Sequence, residues 1–366
     1  MEKEQLVILG NGFDLALGMK TSYNDFFKWL FTNKKIVTFD KDYSLHESEY
    51  PEIIKTNGKN QLVNFWCIYF SMTQKSNGLD WNNVESHIED VVKTLENCMD
   101  YSIIDFLTKN DVVNKSKQTY RQSEFILKLF LRNFIVTKNE SIMSILLLQL
   151  KQFECFFVEY LNTVFSGNIE THIKYNYTEL LKSMGVKPRD GHYDANSTAI
   201  LNFNYSSLPD FVDSTRNIHG TIANNNIIFG IDSSTIEATS PIYIFTKESR
   251  IMHASVVNQG NSQKDILNRY IKTIKFFGHS LAQADYAYFQ SIFDYLSIYD
   301  NDVTLIFYYG FYFETNKIKL LEYENEIQNL LSVYGKTLDN KDHGKNLMTK
   351  MMLENRLQIK LAIGRY

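Results

Sequence analysis

Proline is scarce in this chain: four residues in 366, alongside 16 glycines spread along its length. A Pro- or Gly-rich linker is therefore absent, and so is a low-complexity segment or an internal repeat. Cysteine is nearly absent too. Cys67, Cys98 and Cys155 are far apart, odd in number and form no CxxC pair. That argues against a disulfide framework and a structural zinc site, and fits a reducing cytoplasm. There is no long apolar run free of charge. The most apolar stretch, Ile142 to Phe165, carries Gln149, Lys151, Glu154 and Glu159, and reads as a buried helix rather than a membrane span. The N-terminus runs from Met1-Glu2-Lys3-Glu4-Gln5 straight into a strand without an apolar signal region, so the expected location is the cytoplasm with no membrane partner. A net charge of −4 leaves no chain-wide basic footprint, which makes nucleic acid an unexpected partner. Clustered carboxylates and a His-metal motif are missing, so no metal is expected.

What the chain does have is 44% hydrophobic and 14% aromatic residues over a length that buries a large core. Its most informative run is Leu6-Val7-Ile8-Leu9-Gly10-Asn11-Gly12-Phe13-Asp14. A short apolar strand ends in two glycines one residue apart and then turns helical. In an α/β sheet, such a turn lets backbone approach a phosphate or ribose at a helix N-terminus. The dinucleotide fingerprint is incomplete, since Leu15 holds the place of its third glycine. Asp14 suits a ribose hydroxyl; the competing role is a tight turn with Asp14 as a helix cap.

Strand one is expected over Gln5 to Leu9 and a helix over Tyr23 to Phe31. Residues 32–60 are polar and irregular and read as a surface excursion. From Gln61 to Leu181 the pattern is helical. Val84, Ile88, Val91, Val92 and Leu95 keep helix spacing, as do Leu146, Leu150, Phe153, Phe157, Tyr160 and Val164. This block is too long for one βαβ crossover and reads as a helical insert. Strand signals return at Thr198 to Phe203, Ile227 to Phe229, Ile242 to Phe245, Thr273 to Phe277 and Val303 to Tyr308, apolar throughout as in a parallel sheet. Helices are expected at Gln283 to Leu296 and Ile318 to Val333, before a Lys-rich stretch (Lys341, Lys345, Lys350) that reads as a solvated face. The fold class is α/β: a Rossmann-like, largely parallel sheet from residues 1–31 and 182–366, with the helical insert at 61–181.

Ligands of open α/β sheets bind past the carboxyl ends of the strands, so residues there are the candidates. Asn202-Phe203-Asn204-Tyr205-Ser206 puts two asparagines on one face, able to hold a ribose hydroxyl or a water, or else to satisfy loop backbone. His219, ahead of Gly220, is a candidate general base or a satisfied structural histidine. Gly278-His279-Ser280 forms a second glycine turn; Ser280 and Gln283 have capping-box spacing, with Asp285 in the early helix. Asp190-Gly191-His192-Tyr193-Asp194 holds ligand types without a metal-site spacing, and reads as a turn.

Taken in order, GNGFDLALG with Lys20-Thr21-Ser22-Tyr23, Trp81-Asn82-Asn83-Val84-Glu85, LNFNYS, IHG, IFGI, Phe245-Thr246-Lys247, GHSL and Glu354-Asn355-Arg356 resemble the AbiH family of abortive-infection proteins. The resemblance implies phage defence by arrest or death of the infected cell. More distantly, the glycine turn, Asn-containing strand end, His-Gly and late Gly-x-Ser turn resemble the SIR2-like NAD-binding fold and its NAD-consuming defence members. That likeness implies Asn204 and His219 as the catalytic pair. It implies Gly10, Asn11, Gly12, Asp14, Gly278, His279, Ser280 and Asp285 around NAD or a related nucleotide. Ser206 stands where an aspartate commonly follows the asparagine, and the cysteine-zinc module of the deacylases is absent, which argues against deacylation. Hydrolysis of the N-glycosidic bond of NAD is the reaction this implies, with Asp14 or Asp285 offsetting the developing cation. The rival readings are a nucleotide-binding sensor whose helical block contacts a phage protein trigger or a second copy of the chain, and a nuclease-type toxin.

Overall fold

A computed structural model describes residues 4–34, 63–77, 84–108, 118–134, 140–165, 169–186, 188–189, 192–193, 197–206, 214–257, 265–281, 283–310 and 317–362. The 35–60 part of the polar excursion, Trp81-Asn82-Asn83, and most of the Asp190 to Asp194 loop lie outside them. The chain divides into two compact units. The first comprises Met1–Thr21, Val164–Asn226 and Asn258–Tyr366; the second comprises Ser22–Thr163 and Ile227–Val257.

Among the described residues, the first unit has eight strands: β1 (Gln5–Leu9), β2 (Pro188–Arg189), β3 (His192–Tyr193), β4 (Thr198–Asn202), β5 (Thr215–Asn217), β6 (Thr273–Phe277), β7 (Thr304–Tyr309) and β8 (Leu357–Leu361). β2 and β3 form an antiparallel pair. The other six make one sheet in the order β5-β4-β1-β6-β7-β8, every neighbour parallel. Counted by their place in this sheet, the strands run 3-2-1-4-5-6, the doubly wound Rossmann order, with the switch point between β1 and β6.

The alternation of side chains explains why the central strands are apolar throughout. Leu6 and Ile8 of β1 join Leu201, Phe276 and Phe307 on one face, covered by the helices Tyr286–Leu296, Lys317–Gly335 and Lys341–Leu353. Val7 and Leu9 join Ile200, Phe277 and Ile306 on the other, covered by Asn11–Ala16 and Ile169–Ser183. The two outermost strands differ. β5 is three half-buried polar residues, and β8 exposes Gln358's neighbours Ile359 and Lys360; neither carries the apolar run by which a strand is recognised.

The second unit is helical, with Tyr23–Asn33, Phe65–Asn77, Val84–Leu95, Ile103–Thr108, Gln118–Phe134, Ile142–Phe165 up to Thr163, and Lys247–Val257. Its core is aromatic: Phe26 packs on Phe153 and Phe157, and Phe153 and Phe157 pack on Phe229. Ile242 to Phe245, expected as a strand, is instead a 3-10 helix over Pro241–Phe245. Pro241 stands in its first turn and Ser240 accepts the Ile242 N–H, the start signals of a helix rather than a strand. Ile227 to Phe229 joins no strand either; only Ile231 beyond it makes an isolated bridge, to Thr246. Among the described residues, no helix is long and apolar enough to cross a membrane.

Candidate functional site

The register brings the strand ends level. Leu9 pairs with Asn202 on one side and Phe277 on the other, and Asn202 pairs with Asn217. The next residues of four strands therefore emerge on one edge of the first unit: Gly10, Phe203-Asn204, Ile218-His219 and Gly278-His279. All ten residues singled out from the sequence lie here.

The two glycine turns pack back to back. Gly10 N–H donates to the Phe277 carbonyl at 3.0 Å and Gly12 N–H to the Gly278 carbonyl at 2.8 Å. A Cβ at Gly12 would lie 2.7 Å from Gly278 Cα, and one at Gly278, whose φ is +69°, would lie 2.3 Å from Phe13 N. Glycine is required so that one turn can touch the other across the switch point. Asn11 accepts the Thr21 hydroxyl proton at 2.7 Å, which fixes its side chain.

Asp14 is buried to 1% exposure and accepts the Ser206 hydroxyl at 3.0 Å. Burial pushes its carboxyl up to about 7, and the Ser206 bond pulls the other way. Ser206, just past the end of β4, thus finds its carboxylate on the first turn. Helix capping is not Asp14's role: Asn11–Ala16 has no side-chain cap bond.

The two asparagines part company. Asn202 accepts the Asn204 N–H at 3.1 Å and donates to the Ser206 carbonyl at 3.3 Å, so it serves the loop. Asn217 donates to the Asn204 and Ser206 carbonyls, both at 3.1 Å. Asn204 is held by its backbone, while its side-chain Oδ1 and Nδ2 are both buried and without a hydrogen-bond partner. A buried amide left unsatisfied costs free energy, commonly about 1–3 kcal/mol per group.

His219 is 5% exposed, against Phe203 at 5.6 Å and Tyr205 at 6.2 Å between ring centroids. Its Nε2 also lacks a hydrogen-bond partner and lies 3.6 Å from Asp285 Oδ1. Phe203 packs edge-on against His279 at 4.5 Å. His279 Nε2 is 3.4 Å from Asp285 Oδ2, and its Nδ1 accepts the Leu281 N–H at 2.9 Å. Ser280 is exposed, and the α-helix begins after Asp285, its N-cap residue, which makes no side-chain cap bond. The helix expected from Gln283 opens as a 3-10 turn over Gln283–Asp285 and continues as the α-helix Tyr286–Leu296. Asp285 faces both histidines, an arrangement with no short-range sequence signal. Among the described residues, no cluster of three or more His, Cys, Asp or Glu is fit to hold a metal.

The family model for bacteriophage abortive infection AbiH matches residues 6–309. The chain belongs to the AbiH family. The match runs from β1 to the end of β7 and includes every candidate residue above. It identifies a phage abortive-infection protein. No curated protein and no solved structure gives a significant match.

Other AbiH-like motif residues build the second unit instead. Lys247 Nζ pairs with Glu85 Oε2 at 2.9 Å, and Gly230 N–H donates to Glu85 Oε1 at 3.4 Å. Ile231 and Lys247 exchange backbone bonds with Phe245 and Ile231, each at 3.0 Å. Beside them, Glu154 accepts the Phe229 N–H at 2.7 Å and Arg250 Nη2 at 2.8 Å, with Arg250 buried. In the first unit, Arg356 is buried and donates to the Ile298 and Val303 carbonyls.

Proposed function

We propose that this AbiH protein acts in phage defence by hydrolysing the N-glycosidic bond between nicotinamide and ribose in NAD. The observation that carries this reading is the Asn204 amide: buried, unpartnered at both polar atoms, and standing with the unpartnered His219 Nε2 at one edge of a Rossmann-ordered sheet. A ligand bearing hydroxyl groups would satisfy the two Asn204 atoms.

The chemistry asks little of the protein. Nicotinamide in NAD is already a pyridinium, so it departs with the bond's electron pair as a neutral molecule and needs no acid. The ribosyl carbon is left oxocarbenium-like, and water adds its oxygen there. Asn204 holds a ribose hydroxyl and the water. His219 takes the proton the water loses, giving ADP-ribose and nicotinamide. The carboxylate of Asp285, or that of Asp14 once it ionises, offsets the positive charge as it develops.

Purified protein incubated with NAD should release nicotinamide, followed by chromatography, and Asn204→Ala or His219→Ala should slow release by about 10²–10⁴-fold. Unchanged release in both variants would sink the assignment. NAD binding without release, in buffer and in lysate of infected cells alike, would make the protein a nucleotide sensor.

A further inference from the structure

We infer that Asp285 is a positioning residue that sets the tautomer of two histidines at once, holding the ring proton on Nε2 of both His219 and His279 and leaving Nδ1 of His219 as the atom that takes the proton from water. The identity of that proton rests on the hydrolysis proposed above; the arrangement of the three side chains stands without it.

His279 fixes one half. Its Nδ1 accepts the Leu281 N–H at 2.9 Å. An accepting imidazole nitrogen carries a lone pair, so the neutral ring bears its proton on Nε2. That N–H faces Asp285 Oδ2 at 3.4 Å. Leu281 delivers its N–H from a left-handed backbone conformation, φ +54°, which a leucine rarely adopts.

The other half follows from the second carboxylate oxygen. Asp285 Oδ1 faces His219 Nε2 at 3.6 Å, and that nitrogen is buried without a hydrogen-bond partner. A lone pair on Nε2 would point at a carboxylate; a proton there is attracted by it. Each oxygen of Asp285 therefore takes one Nε2–H. Separations of 3.4 and 3.6 Å are longer than a formed hydrogen bond, and such contacts tighten when substrate binds. With Nε2 committed, Nδ1 is the one nitrogen of His219 able to accept a proton. When it does, the imidazolium forms beside an anion, the role a carboxylate plays behind the histidine of a catalytic triad. Phe203, edge-on to both rings, keeps them apart so that one carboxylate can serve the two.

The test uses full-length protein labelled with [15N]histidine, with the His219 and His279 signals identified by their loss in His219→Gln and His279→Gln. In the wild type both rings should show the Nε2–H pattern. In Asp285→Asn, whose thermal midpoint and remaining histidine signals report the fold, His219 should lose that pattern. Nicotinamide release should fall by about 10²–10⁴-fold in kcat with KM changed by less than about threefold, and Asp285→Glu should recover part of it. A His219 ring protonated at Nδ1 in the wild type, or unaltered in Asp285→Asn, overturns the inference. So does a rise in KM with kcat intact, which would make Asp285 a ribose contact. If the wild type released no nicotinamide, the hydrolysis would fall while the tautomer spectra still decided the role of Asp285.

Discussion

Asp14 meets one side-chain donor, Ser206, in a place that water barely reaches. Its carboxyl rises from 3.8 to about 7 because burial disfavours the charged form. A folded-state value above the unfolded one means the native state binds the proton more tightly. The stabilisation this gives is complete below 3.8 and is lost as pH rises through about 7. Asp14→Asn keeps the shape and the acceptor for Ser206 but cannot ionise. Denaturant melts should show the variant gaining on the wild type between pH 4 and pH 8, by on the order of 4 kcal/mol. A difference constant with pH would mean that Asp14 stays charged throughout. At this scale the sequence was informative about which residues end the strands and silent about how they pair. Asn204 and both glycine turns stand out because each follows an apolar strand, and His219 because a glycine follows it. The bond from Ser206 to Asp14 and the facing of Asp285 to His219 join residues far apart in the chain, which spacing cannot show.

Elements were legible where burial on both sides leaves an apolar run, as in β1, β4, β6 and β7, and where apolar residues keep helix spacing, as in Val84–Leu95 and Ile142–Phe165. β5 and β8 escaped because edge strands bury little. Ile242 to Phe245 misled because a short apolar run fits a strand and a helical turn equally, and Ser240-Pro241 was the deciding signal. Within the second unit, polar bonds rather than ladders hold the Ile227–Ile231 segment. Glu154→Ala would leave the Phe229 N–H and part of the Arg250 guanidinium buried without an acceptor. It should cost about 3–5 kcal/mol in a chemical melt, whereas Glu154→Gln, which keeps an acceptor, should cost less. Equal losses in the two variants would show that packing, not the acceptor, is what Glu154 supplies.

The whole molecule draws its sheet from separate stretches of chain. β1 comes first in sequence and lies between β4 and β6, bonded to both. Without residues 1–9, two strands lose their shared partner and Leu6, Val7, Ile8 and Leu9 leave fully buried positions. Each such side chain is worth about 1.5–3 kcal/mol, and the four together match the net stability of a typical domain. A chain lacking residues 1–9 should be recovered as aggregate, without a cooperative melt. A soluble product melting like the full chain would show that the sheet closes without β1.

The same connectivity bears on how the protein is made. Lys275 of β6 bonds to Gln5 of β1 across 270 residues of sequence. At a translation rate of 5–20 residues per second, the first strand waits roughly 15–50 s for that neighbour to be synthesised. Asp285 and His279 emerge later than Gly10, Asn204 and His219, so an interrupted chain ending before them would lack the carboxylate proposed to orient His219.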